Sequence, residues 1–273
     1  MLSVLSVLSV ITPITPITPI TLINIIQSST FFIPYLMNNE ISFHPATLVD
    51  KSMQNTGNYY LNPLFEWMCL LASYTTAFMH LLPIFQRYKV GVTSNNEVIY
   101  WQHDLQGNCR GGKIIKYLSN GHRDKQYGAK WVHSALNIHD FNLCQVPFGL
   151  HLLPSFPSNC TIAVVESEKT ALLAAAYNVV YLNNENRLPL FIATGGAGNL
   201  NNTLKYLKGR KVVIFPDEDQ TIAWAKIASK HASSFRSLSI DSTVRQAVID
   251  GILPPKSDLG DLLALRQQYI CQQ

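Results

Sequence analysis

The second half of the chain alternates short apolar runs with longer stretches of helical character. Thr161–Val165, Leu190–Thr194 and Lys211–Phe215 are brief and rich in β-branched or aromatic residues, the signature of buried strands, and Phe235–Ile240 is a candidate fourth strand. Between them lie an Ala-rich segment opened by Ser167, which suits a helix N-cap, then Asn201–Leu207 and Gln220–Phe235. A closing helix is predicted from Gly260 onward. Strands alternating with helices predict an α/β fold, a parallel sheet with helices on both faces.

The first half has a different pattern. Asn62–Gln86 is apolar around much of its circumference and predicts two helices broken near Ser73–Thr76. Lys89–Val92, a turn at Asn95-Asn96, and Val98–Gln102 predict strand, turn and strand. A further turn at Asp104–Asn108 precedes Lys113–Tyr117. These elements imply a small α+β lobe ahead of the parallel sheet. Gly149–Asn159, with Pro154 and Pro157, reads as a linker. The expected domains are residues 37–155 and 156–273.

Residues 1–36 stand apart. They open on Leu-Ser-Val and Ile-Thr-Pro triplets, and residues 1–39 carry no charged side chain. Pro13, Pro16 and Pro19 break any helix long enough to span a membrane, and no positive n-region marks a secretory signal. The triplets look like translated tandem-repeat DNA, which makes Met37 a candidate start. No membrane association is expected. The cysteines are scattered, without a C-x-x-C pair, so neither a zinc module nor a disulfide framework is predicted. A cytoplasmic setting fits.

Composition adds little until charge is located. The 273 residues carry a formal charge of +4, and 47% are hydrophobic, enough for a globular core. Arg110, Lys113, Lys116, Arg123, Lys125 and Lys130 fall within one short stretch with Asp124 the single acid, interleaved with Tyr117, Tyr127 and Trp131. Cations beside aromatic faces suit single-stranded nucleic acid. A solvated face over core aromatics fits the pattern equally well.

The chemistry concentrates at strand ends. The strand at Lys211–Phe215 runs into Pro216 and then Asp217, Glu218 and Asp219. On an extended backbone Asp217 and Asp219 point to one side and Glu218 to the other. Glu166 ends the first strand of the same inferred sheet. Ligands bind at the carboxyl ends of such strands, and converging carboxylates repel until a hard cation such as Mg2+ joins them. Other chemistries lack their motifs: G-x-G-x-x-G, Walker A, H-E-x-x-H and G-x-S-x-G are absent. Gly195-Gly-Ala-Gly reads as a tight turn before it reads as a phosphate cradle.

Three segments carry a resemblance: Val164-Val-Glu-Ser-Glu-Lys-Thr-Ala-Leu, Ala193-Thr-Gly-Gly and Val213-Ile-Phe-Pro-Asp-Glu-Asp. Together they resemble the Toprim domain of bacterial primases, topoisomerases and some nucleases, over about residues 160–265. The resemblance implies a Toprim-like, Rossmann-like sheet, Glu166 as general acid or base, and Mg2+ (or Mn2+) held at Asp217 and Asp219, with Glu166 able to share it. Where the primase motif often carries Gly and Asp, this chain has Ser167 and Thr170. Val98–Gln102, Gly112-Lys-Ile and Lys130-Trp-Val-His resemble the primase-like lobe of Toprim proteins from Bacteroidetes mobile elements. By that likeness Arg110, Lys113, Lys116, Arg123 and Lys130 line a groove for template or nucleotide.

The implied activity is primase-like nucleotidyl transfer on single-stranded DNA in replication of a mobile element. The implied partners are single-stranded DNA, nucleotides and a helicase or other replication protein. A Toprim nuclease and a non-catalytic DNA-binding module are the alternatives. No tyrosine is marked as a nucleophile, which argues against a topoisomerase.

Overall fold

The computed structural model describes residues 40–58, 60–71, 77–182 and 189–271. The triplet repeats of residues 1–36 and the helix break near Ser73–Thr76 lie outside them. Three helices open the described chain: α1 (Ala46–Met53), α2 (Pro63–Leu71) and α3 (Ala77–Arg87). Asn62 caps α2, its Oδ1 accepting the Phe65 N–H at 3.0 Å, and Pro63 sits where a helix tolerates a missing donor. The two helices predicted over Asn62–Gln86 are thus α2 and α3.

An antiparallel sheet follows, with strands β1 (Val90–Val92), β2 (Val98–His103), β3 (Cys109–Ile115) and β4 (Ala129–Trp131) in sequential order. Strands β1 to β3 are largely buried on both faces, whereas edge strand β4 is exposed at Ala129 and Lys130. One face places Ile99, Trp101 and Ile114 against Val49 of α1 and Val132 of the short helix α4 (Val132–Ala135). The other turns Val98, Tyr100 and Ile115 toward the main core. Tyr117 is part of that core and hydrogen-bonds Tyr100 through the two hydroxyls at 2.8 Å, so it is no stacking surface.

Residues 150–155 correct the linker expectation. They form a 3-10 turn whose Leu150, Leu152 and Leu153 are buried. Gly149 (φ 85°) lets the chain bend there, because a Cβ at that position would sit 2.9 Å from the Tyr88 ring. Phe148 exchanges backbone hydrogen bonds with Ala193 at 2.9 and 3.1 Å. The described residues form one compact unit, and its main hydrophobic core runs continuously past residue 155.

The remaining chain is the predicted α/β sheet. Strands β5 (Thr161–Val165), β6 (Leu190–Ala193), β7 (Lys211–Ile214) and β8 (Ser237–Ile240) are all parallel, in the order β6-β5-β7-β8. They alternate with α5 (Glu168–Leu182), α6 (Leu200–Tyr206) and α7 (Thr221–His231), and α8 (Thr243–Ile249) and α9 (Leu259–Cys271) follow. From β5 the chain steps one way to β6, then returns past β5 to β7 and on to β8. Right-handed crossovers therefore put α5 on one face and α6 and α7 on the other. The reversal falls between the adjacent strands β5 and β7, and such a switch point opens a crevice at the strands' carboxyl ends.

Among the described residues no helix is long and apolar enough to cross a membrane.

Two buried histidines tie stability to pH. Burial, followed by the charge of His133, lowers the His44 pKa to about 4; burial, followed by His151 and Lys89, does the same to His103. The unfolded chain takes up those protons near pH 6.5, before the folded chain does, so their contribution is full above 6.5 and is lost as pH falls toward 4. Denaturant unfolding at pH 7 and 4.5 is expected to show a loss on the order of 2 kcal/mol per histidine. Replacing either with Phe should flatten that slope.

Candidate active site

Glu166 directly follows β5, and Asp217 lies three residues beyond β7, so both stand at the crevice between those strands. The backbone there is tightly held. Phe215 N–H donates to Val164 O at 2.8 Å, and Gly195 N–H donates to Glu166 O at 2.9 Å. The Glu166 Oε2 atom is buried without a hydrogen-bond partner. Burial raises the Glu166 pKa, and the charge of Asp219 adds to the rise. Asp217 is pushed up to about 8, first by burial and then by Glu166, Asp258 and Asp219. The charges of these acids act on one another, each raising its neighbour's pKa.

The route by which Asp217 and Asp219 approach differs from the prediction. The extended backbone ends at Asp217, and Glu218–Gln220 forms a 3-10 turn, so i, i+2 alternation does not align them. Asp219 is exposed at the rim. Glu218 faces elsewhere: its Oε2 accepts the Lys256 N–H at 3.1 Å, and its own N–H donates to Ser257 O at 3.0 Å. It thereby fastens the loop ahead of α9.

That loop delivers two acids that the sequence reading passed over. Asp258 caps α9 by accepting the Asp261 N–H at 2.9 Å, while Asp261 Oδ2 accepts the Asp258 N–H at 3.0 Å. The reciprocal pair is a capping box, and its D-x-x-D spacing ahead of an apolar run is legible in the sequence. Burial and the Asp258 charge raise the Asp261 pKa. Ser167 caps α5 as predicted, its Oγ accepting the Thr170 N–H at 3.1 Å. The Thr170 hydroxyl in turn donates to Asp258 Oδ2.

Lys113 takes an unexpected position. Predicted for a nucleic-acid groove, it reaches from β3 to Glu168 Oε1 and Oε2 at 3.0 and 3.2 Å and to Gly195 O at 2.8 Å. Glu168 is 2% exposed, so this ion pair is buried. Gly195 (φ 76°) turns its carbonyl to the ammonium in a conformation that suits only glycine well. The other cations divide. Arg110 pairs with Asp104 at 3.1 Å and is largely buried, and Lys116 lies over the Tyr127 ring at 3.7 Å. Arg123, Lys125 and Lys130 are exposed, Lys130 standing 4.0 Å from Glu97. Lys169 and His122 lie close enough to lower the Asp261 pKa.

Whether these acids suit a metal can be judged from their surroundings. Among the described residues, no three His, Cys, Asp or Glu side chains form a ready cage. The unpartnered Glu166 oxygen and the raised Asp217 carboxyl still fit a cation of the Mg2+ type, which uses one or two carboxylates and takes its other ligands from water and phosphate.

A family model described as "Domain of unknown function (DUF6371)" matches residues 62–218, from α2 through the antiparallel sheet to the acids after β7. The chain belongs to the DUF6371 family. No curated protein matches it. Among solved structures, this DUF6371 protein is similar to the primase fragment of the bacteriophage T7 primase-helicase, at 16% identity and TM-score 0.41, covering 70% of each chain. The E. coli primase catalytic core is similar at 11% identity and TM-score 0.39, covering 82% of this chain and 84% of that one. A DnaG primase catalytic domain bound to single-stranded DNA is similar at 13% identity and TM-score 0.39, covering 77% and 79%.

Two stability measurements check the site. Lys113→Met strands a buried carboxylate and should cost about 3 kcal/mol in urea unfolding, and adding Glu168→Leu should recover at least half of that. Asp217 acts in the opposite sense. Its raised pKa means the folded chain holds a proton that the unfolded chain releases, so stability falls as pH rises from about 3.8 toward 8. Asp217→Asn removes that penalty and should raise stability at pH 8 by on the order of 2 kcal/mol.

Proposed function

We propose that this DUF6371 protein is a primase-like nucleotidyltransferase, joining nucleotides on a single-stranded DNA template with Mg2+, for which Mn2+ can substitute. The observation that carries the reading is the pairing of Glu166, with its buried and unpartnered Oε2, and Asp217, raised to about 8, at the switch-point crevice. Carboxylates held against their own repulsion are relieved when a cation lies among them. Asp217 and Asp219 would hold that ion, with Glu166 at its edge. Once bound, it neutralises phosphate charge and activates an attacking oxygen.

The chain's own groups supply the rest. Glu166 Oε2 has no competing partner and can hold the proton of an attacking hydroxyl. Lys113 fixes the Gly195 turn beside it. The exposed Arg123, Lys125 and Lys130 can track template phosphates. The Toprim resemblance supplies the reaction class. It also carries the mobile-element setting and the expectation of a helicase or other replication partner.

Incorporation of radiolabelled nucleotides on single-stranded DNA tests the reading. Wild type should extend primers only with Mg2+ or Mn2+, and the Asp217→Asn/Asp219→Asn pair should lose at least about 100-fold with folding intact. Wild-type synthesis by that pair overturns the assignment. Metal-dependent cutting of the DNA without nucleotides moves the same acids to a nuclease. Glu218→Gln should retain activity, because the amide oxygen can still accept the Lys256 N–H.

A further inference from the structure

A cavity of about 250 Å3 lies between α3, α5 and the start of β6. Leu190, the first residue of β6, lines it, whereas Glu166 and Asp217 stand beyond the carboxyl ends of β5 and β7. The three strands run parallel, so the cavity and the acids lie at opposite edges of the sheet. The four residues of β6 span the gap between those edges, roughly 13 Å. The cavity is therefore separate from the candidate active site.

Helix spacing explains why a hollow forms there. Met79, Pro83 and Arg87 recur every four residues of α3, so they make one row about 12 Å long on the helix surface. Pro83 is compact between two long side chains, and Ala175 of α5 brings only a methyl group to the lining. Phe156 adds an aromatic ring. Tyr88 offers its ring alone, because its hydroxyl already donates to Phe191 O at 2.9 Å. Met79 is 74% exposed, which leaves its polarisable thioether free to meet an aromatic group.

One end of the row is charged. The Arg87 guanidinium lies over the Phe156 ring at 5.0 Å, and the Arg87 carbonyl accepts the His151 Nε2–H at 3.0 Å. Among the described residues, no carboxylate stands within ion-pair distance of this guanidinium. A guanidinium fixed beside apolar walls suits a planar carboxylate, which it can bond through two N–H groups at once. Size narrows the ligand further. In another protein an engineered cavity of about 150 Å3 holds one benzene, so the larger space here has room for a benzene ring and a short acidic arm.

We propose that this cavity binds a small aromatic carboxylate, with the ring among Met79, Pro83 and Phe156 and the carboxylate on Arg87. Such a ligand is not a substrate, because the acids lie at the other edge of the sheet. Its binding is independent of nucleotide chemistry at Glu166 and Asp217.

Phenylacetate is the probe and phenylacetamide its uncharged counterpart, both titrated calorimetrically against the full chain at pH 7 without metal or nucleotide. Wild type should bind phenylacetate about tenfold more tightly than phenylacetamide, the usual return on a hydrogen-bonded charge. Phenylacetate at ten times its dissociation constant should raise the thermal unfolding midpoint by roughly 4 °C. Arg87→Met keeps the apolar stem, so it should abolish the preference for phenylacetate and leave phenylacetamide binding within about twofold of wild type. Ala175→Leu fills the hollow and should abolish binding of both probes. Met79→Ala, a change at an exposed position that leaves folding intact, should weaken both several-fold. Equal affinity of wild type for the two probes, or an equal loss of both in Arg87→Met, overturns the site. So does phenylacetate binding that survives Ala175→Leu and Met79→Ala unchanged. No binding of phenylacetate to wild type overturns it as well and leaves the hollow to a side chain of another protein.

Discussion

A buried ammonium joins the two sheets. Lys113 leaves the antiparallel sheet and ends on the Glu168 carboxylate and the Gly195 carbonyl, both of them beside the carboxyl edge of the parallel sheet. Neither charge could sit there alone, because desolvation of an unpaired ion exceeds what the surrounding packing returns. Together they fix three things: the register of the antiparallel sheet against the crevice, the turn after β6, and the first residue of α5. The acids are positioned from that junction. Glu166 precedes Glu168 by two residues, and Gly195 N–H holds the Glu166 backbone.

Much of the parallel sheet was legible because β5, β6 and β7 are nearly continuous apolar runs and helices follow soon after the runs stop. Glu166 and Asp217 were legible for the same reason, since a carboxylate at a strand's end is visible in one dimension. Lys113 was not. Its partner is 55 residues away, and in the sequence it is one cation among several. Asp258 was missed likewise, for its bond to Thr170 spans 88 residues, although the capping spacing with Asp261 is local. Leu150–Ser155 was misread because Gly and Pro punctuate it, and three leucines outweighed that punctuation by burying against the core. The family match, residues 62–218, takes in both sheets' contributions to the Lys113 junction and stops before Asp258.

The departures at Ser167 and Thr170 acquire a physical sense from these contacts. The Thr170 hydroxyl donates to Asp258 Oδ2, and Ser167 Oγ lies 2.7 Å from Thr170 Oγ1. A carboxylate at position 170, as in the motif the chain resembles, would place a further negative charge against Asp258. That would happen where Asp217 already carries the repulsion of Glu166, Asp258, Asp219 and Asp261. Threonine turns that contact from acceptor against acceptor into donor against acceptor. It also leaves Asp258 bound on both oxygens, one to the Asp261 N–H and one to Thr170. Glu166 Oε2 has no such partner, and Asp217 carries the large upward shift. The unrelieved charge therefore gathers at the crevice between β5 and β7, where a cation would relieve it most.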